Sequence, residues 1–70
     1  MPMNAYQKLA HKNAKRLIDA RVKKHGVKKK TAVRDLLTDI RHFCEKENVN
    51  FHAAAKGAYD IYLKERAETT

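Results

Sequence analysis

The residues of this chain best suited to chemistry are its lysines and arginines. Lys8, Lys12, Lys15, Arg16 and Lys23 recur at spacings that, at 100° per residue, place them on one flank of a helix. Lys28, Lys29 and Lys30 follow as an unbroken run. Positive charges arrayed in this way bind phosphates by displacing the counterions condensed on a polyanion, a source of affinity that reads no sequence. The charge is also unevenly divided. Residues 1–30 hold ten Lys or Arg against Asp19 alone, whereas residues 31–70 hold six against seven acids, so the whole excess behind the formal net charge of +8 lies in the first segment. The partner this implies is a DNA or RNA backbone contacted without sequence preference, or an acidic protein. The plainer reading is a solvated helix face, and Asp19 speaks for it by standing between Lys15 and Lys23 at four-residue spacing. Base reading is not expected: the stripe has no Asn or Gln suited to adenine and no aromatic ring for stacking, and it favours lysine where bidentate guanine contacts favour arginine.

Other reactive side chains form no constellation. His11, His25, His42 and His52 include no pair at i, i+3 or i+4 on one helix, so neither a metal site nor a cofactor is expected. Cys44 falls on an apolar stripe and reads as a small core residue, one that should resist thiol reagents, rather than a nucleophile. Asp35 and Asp39 share a helix face, but with Arg34 and Arg41 beside them they read as surface ion pairs before they read as an acid and base. There is no phosphate-binding glycine loop, nucleophile elbow or paired catalytic carboxylate motif, so enzymatic activity is not expected.

The elements that position these residues follow from two breaks, Gly26–Thr31 and Asn48–Asn50. Asn4, with Gln7 three residues on, makes a capping box that opens a first helix. Lys23, Lys24 and His25 suit that helix's negative end, and Gly26 suits its left-handed cap. Its apolar side is read as Tyr6, Leu9, Ala10, Leu17 and Ala20. Thr31 is the expected N-cap of a second helix with Val33, Leu36, Leu37, Ile40, Phe43 and Cys44 at helical spacing. Asn48 repeats the left-handed cap, and Asn50 caps a third helix carrying Phe51, Ala54, Ala55, Ala58, Ile61 and Tyr62. The expectation is a single all-α domain over residues 1–70 with helices at about 5–25, 32–47 and 51–66. The long basic first helix would pack on an antiparallel helical hairpin. A helix-turn-helix fits less well, because the second helix is too long and the outward side of the third (Ala53, Lys56, Gly57, Asp60, Lys64) lacks the charge of a groove-inserted helix.

Ten of the apolar residues are alanines, which leaves a core near the lower limit for autonomous folding and raises the expectation of a homodimer. Gly57 interrupts the third helix at a cost of about 1 kcal/mol relative to alanine. With its neighbouring alanines it makes a smooth face that another helix, in the same chain or a second copy, could approach closely. Tyr59 and Leu63 form an apolar edge suited to a protein partner. No apolar run reaches the length of a membrane span and no signal peptide stands at the N-terminus, so a cytoplasmic, membrane-free setting is expected. The single cysteine agrees with a reducing compartment.

The segment Leu36-Leu37-Thr38-Asp39-Ile40-Arg41-His42-Phe43-Cys44, followed by Phe51, Ala58 and Tyr62, resembles a pattern in small uncharacterised helical proteins of bacterial phages and plasmids. The resemblance covers less than half of the chain and implies a bacterial mobile-element setting, with no functional residues to carry over. Two functions are therefore expected from the residues themselves. The first is accessory nucleic-acid binding through the lysine-rich first helix. The second is a protein-interaction module that regulates or inhibits another protein through Gly57, Tyr59 and Leu63.

Overall fold

The computed structural model describes residues 2–68 as three α-helices: α1 (Ala5–His25), α2 (Lys29–Lys46) and α3 (Phe51–Ala67). No strand occurs among the described residues. Each end is set by local chemistry. At the start of α1, the Asn4 side chain accepts from the Gln7 N–H at 2.9 Å while the Asn4 N–H donates to the Gln7 side chain at 3.2 Å, completing the capping box. The helix ends at Gly26, whose φ of 62° is left-handed and whose N–H donates to the Val22 carbonyl. At the end of α2, Asn48 takes the left-handed conformation at φ 57°, and the Val49 N–H reaches back to the Cys44 carbonyl at 2.8 Å. That six-to-one bond across a left-handed residue is the mark of a Schellman ending. Asn50 then caps α3 by accepting from the Ala53 N–H.

The start of α2 departs from expectation. Thr31 is not its N-cap; the helix begins three residues earlier than expected, at Lys29 behind Lys28, which supplies no side-chain cap. Lysine is a better helix former than threonine, so nothing in the lysine run delays the helix once Gly26 and Val27 have turned the chain. Thr31 instead sits half-buried within the first turn.

The apolar side assigned to α1 also needs correction. Tyr6, Leu9, Ala10, Leu17 and Ala20 are all exposed, and the half-buried apolar residues of the helix are Ile18 and Val22. Apolar residues occupy two flanks of α1 with the lysine stripe beside them, so periodicity alone does not say which flank packs.

All three helix pairs touch, α1 with α2 most extensively. The chain closes on itself: the Asn4 side-chain amide donates to the carbonyls of Glu65, Arg66 and Glu68, tying the start of α1 to the end of α3. Arg21 of α1 pairs with Asp39 of α2, so Asp39 is held across the helix contact and not by Arg34 or Arg41. Arg34 pairs with Asp35 next to it, while Arg41 lies over the Phe51 ring, 5.2 Å from its centre, and bridges α2 to α3. The Cα atoms fill 36 × 31 × 14 Å. Three helices aligned as a bundle would span about 13–15 Å in two directions, so the 31 Å dimension means that they splay across a slab. The buried core is correspondingly small: Ala32 and Cys44 alone are buried among the described residues.

Candidate functional site

The site begins with the flank of α1 that bears Lys8, Lys12, Lys15, Arg16 and Lys23, all exposed. From Lys8 to Lys23 it runs roughly 22 Å along the helix, about two-thirds of a turn of duplex DNA. Because α2 starts early, Lys28 is its N-cap residue and Lys29 and Lys30 occupy its first turn, again exposed. Free N–H groups and the positive end of the helix dipole therefore add to three lysines, with no acidic residue in that turn to offset them.

The tertiary structure joins these two groups at one place. His11, Ala14, Lys15, Ile18 and Asp19 of α1 and Lys29 and Val33 of α2 line a depression of about 240 Å³ between the helices. Asp19 stands on its rim, hydrogen bonded to Lys15. Its carboxyl is held below the usual aspartate range, first by the hydrogen bond from Lys15 and then by the charges of Lys15, Lys29 and His11. The one acid of the first thirty residues is thus engaged by the lysines around it, and Lys15 is the member of the stripe whose charge is already partly answered. The other seven positions have no ion pair with an acid among the described residues.

The α3 surface lies apart from this depression. Tyr59 and Tyr62 stack with ring centres 6.3 Å apart, and with Leu63 they form an exposed edge. Gly57 is half-buried, yet a methyl group built on it would meet nothing within 4 Å, so no helix of this chain uses it as a point of close approach. Cys44 is buried at 5% exposure on the apolar stripe of α2. Among the described residues no three His, Cys, Asp or Glu side chains stand together to hold a metal ion, and no helix is long and apolar enough to cross a membrane.

Two structural roles carried no distinctive sequence signal. Arg21 belongs by composition with the basic residues of the first segment, but it is spent on Asp39 and does not extend the stripe. Asn4 is legible as a cap of α1, but its second role at the end of α3 depends on residues more than sixty positions away. Compared with protein-family models, with curated proteins and with solved structures, the chain matches none.

Proposed function

We propose that this chain is a small accessory nucleic-acid-binding protein that grips the phosphate backbone without reading its sequence. Phosphate contacts would come from Lys8, Lys12, Lys15, Arg16 and Lys23 on α1 and from Lys28, Lys29 and Lys30 at the start of α2. The observation that carries this reading is the meeting of Lys15 and Lys29 around Asp19, which makes the helix flank and the lysine run one basic surface. Three lysines at the uncapped, positive end of α2 repel one another and the dipole, and a phosphate placed there relieves that conflict. The resemblance of the α2 segment to phage and plasmid proteins would put this activity on a bacterial mobile element.

The test is the salt dependence of binding to duplex DNA and to RNA. With four to six phosphate contacts, log K against log[salt] slopes at about −4 to −5 on DNA. Replacing Lys12 and Lys15 with glutamine weakens binding to all sequences alike and flattens the slope by up to about two units, the smaller share from Lys15. Tyr59 and Leu63 substitutions leave the slope unchanged. Failure of both nucleic acids to bind at low ionic strength refutes the reading. The exposed Tyr59, Tyr62 and Leu63 edge favours a second reading, a protein-interaction module that regulates or inhibits another protein; that module would tolerate the glutamine substitutions and lose its partner when the edge is changed.

A further inference from the structure

The strongest amphipathic pattern of the chain, that of α2, is left largely uncovered in the structure. Val33, Leu37, Ile40 and Phe43 lie within one flank of α2, together with Leu36 and Cys44, and from Val33 to Cys44 no charged residue falls on that flank; Lys29 stands at its N-terminal end. Such a stripe is built to be covered, yet these four side chains remain 44%, 52%, 41% and 59% exposed. The surface of the whole chain tells the same story. A folded monomer of 8.1 kDa exposes about 4,500 Å², whereas this chain exposes 6383 Å², an excess of roughly 1,900 Å². Its radius of gyration is 13.9 Å where about 11 Å is expected for seventy residues in a compact domain.

We propose that a second copy of this chain covers the stripe, forming a homodimer centred on Val33, Leu37, Ile40 and Phe43 of both chains. The excess area is of the size that a second copy would cover. A standard interface takes about 800 Å² from each partner and an obligate homodimer about 1,000–2,500 Å², so the excess is the amount an obligate pair would remove. A two-fold axis through the stripe near Ile40 sets apolar surface against apolar surface and leaves Lys29 at the edge of the contact, beyond Val33. Val33 also lines the depression shared with Lys15 and Lys29, so the interface adjoins the lysine surface at that end. This places the interface on α2 rather than at Gly57, which no close approach within the chain requires.

Pairing does not rest on the nucleic-acid reading, and salt separates the two. Two chains of formal charge +8 repel, so added salt tightens the dimer by screening, whereas it weakens phosphate binding. Sedimentation equilibrium of the whole chain, free of nucleic acid, is expected to give about twice 8.1 kDa at micromolar concentrations, with a dissociation constant that falls as salt rises. Leu37→Glu is expected to give the single-chain mass, and Lys12→Gln the parent's. If Leu37→Glu fails to fold, Leu37→Ser must raise the dissociation constant at least about tenfold, since it removes a buried leucine from each of two equivalent positions. The proposal is overturned by a single-chain mass at high micromolar concentration with melting independent of concentration. It is equally overturned by a trimer or tetramer, or by a dimer that neither Leu37 substitution weakens.

Discussion

Asn4 joins two helix ends through one side chain, and its two amide atoms can be tested separately. The side-chain oxygen accepts from the Gln7 N–H and caps α1, while the nitrogen shares its two N–H groups among the carbonyls of Glu65, Arg66 and Glu68, the last at 2.8 Å. Replacement by alanine removes both functions. Loss of an N-cap costs about 0.5–2 kcal/mol, and loss of the bond to the α3 terminus about 0.5–1.5 kcal/mol more. A seventy-residue domain has only about 3.5–10 kcal/mol of stability, so Asn4→Ala is expected to lower the melting temperature by about 5–20 °C. Asn4→Asp is the informative variant. Aspartate caps α1 as well as asparagine does and adds a negative charge at the positive end of the dipole, so a residue serving α1 alone would tolerate the change or gain from it. Here it also turns a carboxylate oxygen toward three carbonyls at the negative end of α3, and a loss of about 1 kcal/mol is expected. Thermal melts followed by circular dichroism at one fixed protein concentration measure the difference, the concentration being held because pairing would shift the midpoint. An Asn4→Asp protein as stable as the parent would refute the bridge and leave Asn4 as a local cap.

Gly57→Ala is expected to raise stability by up to about 1 kcal/mol, because the helix gains propensity and the added methyl meets nothing within 4 Å; a lower melting temperature would show that another chain approaches there. Asp19→Asn frees Lys15 and removes the one acid from the basic surface, so it should tighten nucleic-acid binding about two- to fivefold, as expected for one exposed charge pair; weaker binding would sink that account. The Asp19 carboxyl should titrate below the ordinary aspartate range by NMR and move up in Lys15→Gln. Since its folded value is the lowered one, the pair's small stabilisation is present at neutral pH and is lost as pH falls through that value. Cys44 should react with thiol reagents at least about tenfold more slowly in the native protein than in denaturant, and equal rates would contradict its burial.

Much of the local structure was legible in the residues. Asn4 with Gln7, Gly26 after a basic turn, Asn48 before Val49, and Asn50 are caps whose hydrogen bonds span only a few residues, and such bonds form wherever the chain has those side chains in that order. The exposed lysine flank of α1 was legible for the same reason: helical periodicity places those residues together whatever the helix packs against. The start of α2 was misread because Thr31 is a good cap residue, but a cap forms only where the preceding chain leaves the helix, and lysines do not. Only the tertiary structure decided which flank of α1 packs, choosing Ile18 and Val22 over Tyr6, Leu9 and Leu17, because an apolar residue is buried by what lies opposite it and periodicity describes one helix at a time. Tertiary contacts alone also brought Lys29 to Lys15 around Asp19, took Arg21 out of the basic stripe to hold Asp39, and closed the chain through Asn4 onto the end of α3. Those partners lie from about ten to more than sixty residues apart in sequence, and the way the helices splay sets the distance between them.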